Sequence, residues 1–446
     1  MPRPRLITPA SAEEEEAAAA GSAADKACTG KDMSAGKEVV VIGAGPSGMM
    51  AAVAASSSGA RVLLLEKNSQ AGNKLLLTGH GRCNLTNAEF DLKKLVCRYG
   101  RNGRFLFHAF SVFGPKKTIE FFNDLGVETK IEEKNRVFPV SNKAEDILQA
   151  LLKKLDTNKV VVKYNTEIKN IICENNKIKK IILKNKEEII AKNYIICTGG
   201  KSYAQTGSTG DGYIWAKKLG HSLVKPMPCL APIIVKEKWV KDLQGITLKK
   251  IEINIWQKNK KKISQLGECL FTHSGLSGPA LINLSREVGE LLSKGEVKIT
   301  LNLLPGLDTK KINEIIIEEL KKQNNKEFIN FTLNLLPRRL LNVMGVLSKI
   351  NLHKKTQEIT KQERLNLINI IQKLSFTVSG LGNWDNAMLT SGGIPVKEID
   401  DKTMRSKKIK NLFFTGEIIN CPGPTGGFNL QRCFSTGYVA GQSASN

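Results

Sequence analysis

The chain has 446 residues, 41% of them hydrophobic, and a formal net charge of +25 at pH 7. That length suffices for two or three domains with real cores, and no apolar run approaches the roughly 20 residues of a membrane helix, so a soluble, cytoplasmic protein without a membrane is expected. The nine cysteines are scattered, odd in number and without a C-x-x-C pair, which argues against a disulfide framework or a zinc ribbon and for a reducing compartment.

The positive charge is mostly lysine, in stretches such as NNKIKKIILKNKEEII and KNKKKISQ. It fits either a solvated, lysine-decorated surface or an electrostatic footprint for a polyanion such as RNA. Residues 1–36 are expected to form a disordered tail, because PASAEEEEAAAAGSAADKA is low in complexity and offers little to a core. Its acids argue against a transit peptide, and it lacks the apolar region of a secretory signal.

From Glu38 the pattern changes. EVVVIGAG reads as a buried strand, PSGMMAAVAASSSG as a small-residue helix ending at Gly59, and ARVLLLEK as a second strand ending in an acid. This is a βαβ unit of about 30 residues. Gly43-Ala44-Gly45-Pro46-Ser47-Gly48 is a G-x-G-x-x-G fingerprint. Its first glycine permits the tight turn, the second lets backbone approach a pyrophosphate, and the third lets helix pack on strand. Glu66, at the end of the second strand, has the spacing of an acid that binds ribose hydroxyls.

Further on, AEDILQALLKKL (144–155) has amphipathic helical spacing, and KVVVKYN, IKNIICENNKIKKIILKN and NYIICTGG read as strands, with a tight turn at Glu174-Asn175-Asn176. Residues 206–375 have a different character, rich in strands as far as VKITLNLLP and then helical around KKINEIIIEELKKQ and PRRLLNVMGVL. The α/β pattern returns in IKNLFFTGE, where a strand leads to Gly416 and Glu417, and a glycine-studded helix closes the chain. These features predict an α/β fold: a discontinuous Rossmann-like domain over 37–205 and 376–446, interrupted by an insert over 206–375. A fingerprint at one end and a strand–Gly–acid at the other suit an extended dinucleotide, FAD. The helix after Gly426-Gly427 would aim its positive end at the flavin.

The segments VVVIGAGPSGMMAA, GNKLLLTGHGRCNLTN, RVFPVSNKAEDIL, YIICTGGKSYAQTGSTGDGY, LFTHSGLSGPALINLS, MLTSGGI, TMRSK and FFTGEIINCPGPTGGFNLQ resemble, in order, the BaiN-like family of FAD-dependent, NAD(P)H-linked oxidoreductases, within the two-dinucleotide-binding-domain flavoproteins. A departure is His80, where that family commonly has another glycine. The resemblance implies a glutathione-reductase-like FAD domain with a strand-rich insert carrying nested helices. It implies cofactor contacts from Gly43, Gly45, Pro46, Ser47, Gly48, Glu66, Lys67, Lys74, Gly81, Arg82, Asn84, Thr86, Thr198, Gly199, Gly200, Gly416, Glu417, Gly426, Gly427, Asn429 and Leu430. Asp211 is expected to cap the helix that follows it.

Two residues are candidates for proton transfer, each with a plainer alternative. Cys83 is either an acid or redox thiol beside the flavin or a packing residue. His273 is either a group capping the flavin face or a hydrogen-bonded turn histidine. His108, His221 and His353 are expected to be structural. No metal site is expected, since His80 and Cys83 lack a second ligand pair. NAD(P)H is expected as a transient co-substrate, with no second fingerprint to announce its site. Members of the resembling family have been linked to uridine reduction in ribosomal RNA, to unsaturated steroid-like acids and to amines. The net charge favours ribosomal RNA as partner here, with a small-molecule substrate or a non-catalytic FAD-bound RNA-binding protein as alternatives.

Overall fold

The computed structural model describes residues 38–446; the expected disordered tail lies outside the described residues. β1 (Glu38–Ile42) is buried along its whole length, as EVVVI dictates for a strand covered on both faces. α1 (Pro46–Ser57) starts with proline in its first turn and is built from Ala, Ser, Gly, Met and Val, so it buries nearly all round. β2 (Arg61–Leu65) pairs parallel to β1, with Val39 opposite Val62. The expected helix spans Ala144–Thr157, followed by β3 (Val161–Lys163). A hairpin, Ile168–Glu174 and Lys177–Leu183, turns at Asn175 and Asn176, whose φ values of 50° and 56° give the turn preferred by twisted strands. β4 (Asn193–Ile196) returns to the parallel sheet.

The insert is a closed six-stranded barrel. Its strands are β5 (Ile233–Val235), β6 (Thr247–Gln257), β7 (Lys260–Phe271), β8 (Gly275–Ser277), β9 (Lys298–Asn302) and β10 (Leu374–Leu381). Alternate residues such as Ile253, Ile255, Ile299, Leu301, Phe376 and Val378 fill its interior. Closure joins β5 to β10, with Ile233 opposite Leu381. α2 (Pro279–Leu292) lies between β8 and β9, and α3 (Thr309–Lys322), α4 (Arg338–Leu347) and α5 (Lys361–Gln372) are nested between β9 and β10. β10 runs through position 375.

β11 (Leu412–Phe414) then completes a parallel sheet of order β11-β4-β1-β2-β3. The chain closes with α6 (Phe428–Ser445). Its glycines have a packing reason: a Cβ on Gly437 would sit 2.3 Å from Ser47 O, and one on Gly441 2.2 Å from Ala51 O. α6 therefore lies directly on the backbone of α1, so segments from opposite ends of the described chain form one layer. The architecture is a discontinuous Rossmann-like α/β domain with a separate barrel insert bearing nested helices.

The loop between these halves is pinned by a buried His221. Its Nδ1 donates to Glu398 Oε2 at 2.9 Å, and its Nε2 accepts from the Ser406 hydroxyl at 2.9 Å. Burial pushes the His221 pKa below its ordinary value, against the pull of Glu398. Burial also opposes the Glu398 charge, but hydrogen bonds from Ser222, Lys408 and His221 outweigh it and bring that carboxyl down to about 2. The unfolded chain takes up the His221 proton near pH 6.5 and the folded chain only at lower pH, so stability falls as pH drops below about 6.5. The Glu398 contribution is complete above the ordinary glutamate value of 4.5 and is lost as pH falls towards about 2. A melting temperature that decreases from pH 7 to pH 5 is expected, with a smaller decrease in His221→Gln; equal melting temperatures at both pH values would contradict this account.

Candidate active site

A cavity of about 290 Å3 opens where β1, β2 and β4 end, the place where ligands bind in open α/β sheets. The fingerprint forms its wall, and the first turn of α1 faces it with no side-chain cap, leaving that helix end to an anion. Glu66 Oε2 accepts from Ala44 N at 2.8 Å, and Oε1 accepts from Asn68 N at 2.9 Å and Asn68 Nδ2 at 2.8 Å. The carboxylate is thus fixed at the cavity edge. Thr198 also lines the cavity, and its buried hydroxyl has no partner among the described residues. Gly199 lies beside it. Lys67 lines the cavity while donating to Asp211 Oδ2 at 2.7 Å. Asp211 therefore serves as an ion-pair partner rather than the expected cap; the residue preceding its helix is Gly210.

The floor is a buried ionic cluster. Lys74 Nζ lies 2.8 Å from Glu417 Oε2 and 2.7 Å from Ser202 Oγ. Glu417 Oε1 accepts from Ser202 Oγ at 2.9 Å and Thr390 N at 2.8 Å. Burial opposes the Glu417 charge, but Lys74, Arg432 and the Thr390 N–H hold its pKa below the ordinary carboxylate value. Ser47 Oγ donates to Thr415 Oγ1 at 2.6 Å, which locks the fingerprint helix to the strand end that carries Gly416 and Glu417.

The stretch TGHGRCNLTN meets the C-terminal glycine loop. Gly79, His80 and Gly81 have φ values of 58°, 58° and 82°, so His80 occupies a left-handed position that favours glycine. Asn84, with its amide oriented to satisfy its neighbours, donates to Val137 O and Thr86 O and accepts from Gly427 N. Thr86 donates to Gln431, and Asn87 Nδ2 to Gly426 O. Asn429 clamps the loop from the other side through Gly423 N, Gly423 O and Pro424 O at 2.9–3.0 Å. Asn84, Thr86, Gly426, Gly427 and Asn429 are thus brought together, with Leu430 next in the helix. The cavity lining does not include Gly48, Gly81, Arg82, Gly200, Gly416 or these loop residues. Arg82 turns away from it, donating to Asn142 and Glu132 and stacking 4.1 Å from the Phe138 ring centroid.

Cys83 is fully enclosed in the main core, and burial pushes its thiol up to about 12, against a hydrogen bond with Thr78. Burial keeps the thiol protonated, which disfavours a redox role and favours the packing alternative. Cys83→Ala is expected to keep normal turnover; a loss of about 100-fold, the lower end of a general acid's contribution, would restore a catalytic role. His273 is exposed in the turn between β7 and β8, away from the cavity lining.

Sequence reasoning passed over α2. Asn283 Oδ1 accepts from Thr425 N at 2.9 Å, Arg286 reaches Pro422 O, and Glu290 pairs with Arg101 at 3.0 Å. This helix seats the barrel on the glycine loop. The signal was present: Gly278-Pro279 opens a run with Leu281, Leu284, Ser285 and Val288 on its buried face.

The family profile described as the HI0933-like protein Rossmann domain matches residues 37–443. The chain belongs to the HI0933-like family. The 3-dehydro-bile acid delta(4,6)-reductase of Clostridium scindens is 29% identical over 408 residues, covering 91% of this chain and 98% of its own. The ribosomal RNA dihydrouridine synthase of Haemophilus influenzae is 28% identical over 418 residues, covering 93% and 100%. Among solved structures, the open conformation of a flavocytochrome c3 fumarate reductase aligns with a TM-score of 0.51 at 16% identity, covering 98% of this chain and 81% of that one; this likeness concerns the fold. Among the described residues no cluster of His, Cys, Asp and Glu suits a metal ion, and no helix is long and apolar enough to cross a membrane.

Proposed function

We propose that this HI0933-like chain, within its BaiN-like branch, is an FAD-dependent oxidoreductase that draws hydride from NAD(P)H and reduces an activated C=C bond. Uridine in ribosomal RNA is the favoured substrate. The observation that carries the cofactor reading is the cavity itself: an uncapped helix end, a fixed carboxylate at Glu66 and an unpartnered Thr198 hydroxyl in one wall. In this reading the Gly43–Gly48 backbone holds the pyrophosphate, Glu66 the ribose hydroxyls, and Thr198, Lys74 and the Asn84–Gly427 contact the flavin-bearing half. Bound FAD supplies the capacity to store and deliver hydride. The chain's residues orient it, exclude water through the α2 contact and leave proton delivery to a group other than the enclosed Cys83. All eight described cysteines are free thiols, which supports a reducing, cytoplasmic setting.

The two curated relatives differ by a single point of identity, so similarity does not choose between a small enone and RNA. Charge does. Lys258, Lys260, Lys261 and Lys262 crown the β6–β7 hairpin, exposed and without an acidic partner among the described residues. Gln257 at the hairpin base donates to Leu291 O and Gly295 O, at the end of α2. Asn283, which holds the glycine loop, lies eight residues earlier on the same helix, about 12 Å along its axis. Arg98, Arg101 and Arg104 are exposed on the facing domain. This basic band fits a phosphate backbone whose uridine has left its stack.

The purified holoprotein should be yellow and bleach with NAD(P)H, and single-stranded ribosomal RNA should then reoxidise it with formation of dihydrouridine. Turnover of an unsaturated steroid-like acid with RNA inert would move the assignment to a small molecule. Bound flavin that NAD(P)H never bleaches would support a non-catalytic role.

A further inference from the structure

Arg432, in the second turn of α6, is the largest fully buried side chain among the described residues, 0% exposed. Nη1 donates to Cys421 O, while Nε and Nη2 have no oxygen or nitrogen partner among the described residues, the Cys433 thiol offering only a weak contact. A buried charge left this incomplete is costly relative to an apolar residue of similar size. Its surroundings do not neutralise it. The nearby carboxylate, Glu417, spends its oxygens on Lys74, Ser202 and Thr390, so Lys74, Arg432 and Glu417 together carry one net positive charge. Cys433, adjoining Arg432 in the helix, and Glu417 both line the cavity.

We propose that Arg432 is a positioning residue that makes the cavity floor electropositive, favours negative charge on the group bound above it, and so raises the reduction potential of bound FAD. The proposal rests on the FAD reading, and explains why a costly charge sits where Met or Leu would fill the space. Desolvation strengthens its field, because water is not there to screen it.

The test is the midpoint potential of the FAD-loaded protein, with flavin content and melting temperature recorded in parallel. Arg432→Met and Arg432→Gln should each retain FAD and shift the reduction equilibrium about tenfold towards oxidised flavin, about 30 mV lower for a two-electron couple. Arg432→Lys should recover most of that shift. Melting temperature should hold or rise in Arg432→Met, since replacing an unsatisfied buried charge by an apolar group is often neutral or stabilising. Unchanged potentials in FAD-loaded variants would overturn the inference while leaving the cofactor reading intact, as would lower stability with no change in potential. A wild-type protein that takes up no FAD would sink the cofactor reading first.

Discussion

Gly45→Val is expected to give a folded, colourless protein. Gly45 has an ordinary φ of −78°, and a Cβ built there meets nothing within 4 Å. Valine therefore fits the backbone at the cost of a poorer helix start, about 1 kcal/mol. Its branched side chain enters the cavity beside the uncapped end of α1, where the pyrophosphate would lie. Gly48 behaves oppositely. Its Cβ would lie 1.8 Å from Gly43 O, so Gly48→Ala should fail in folding rather than in binding. Flavin stoichiometry and melting temperature separate the two effects. A Gly45→Val protein that keeps a full complement of FAD would show that the phosphate site is elsewhere.

Replacing Lys258, Lys260, Lys261 and Lys262 together by alanine should weaken RNA binding by about two to three orders of magnitude at 0.1 M salt. Each phosphate contact on a single strand contributes about 0.7 to the slope of log affinity against log salt, so losing four should flatten the slope by up to about 3. All four side chains are exposed, and stability should change little. Reduction of the bound flavin by NAD(P)H should be nearly salt-independent in both proteins. An unchanged salt slope would remove the hairpin from the RNA surface, and no salt-sensitive RNA binding at all would point to a small unsaturated molecule.

The sequence made the nucleotide-binding half legible because its signals are local. EVVVI, the glycine fingerprint and Glu66 lie within 30 residues, and the hydrophobic period changes sharply at each element. The returning strand at Leu412 and the glycine loop were visible for the same reason. The insert was read as strand-rich, but its closure depends on the pairing of Ile233 with Leu381, across a distance no local pattern reports. The Lys74–Glu417 ion pair, Asp211 with Lys67, and the turning of Arg82 onto Phe138 are tertiary choices of the same kind. Arg432 was hidden differently: an arginine in a glycine-studded helix reads as a solvated face, and its burial depends on segments far off in sequence, with Cys421 O as its acceptor and Tyr99 and Glu417 nearby.

Dihydrouridine profiling of ribosomal RNA from cells with the gene, without it, and with the Gly45→Val form alone tests the proposed reduction of uridine most directly. The account predicts a defined dihydrouridine that disappears without the gene and is not restored by Gly45→Val. The same dihydrouridine content in all three would contradict it.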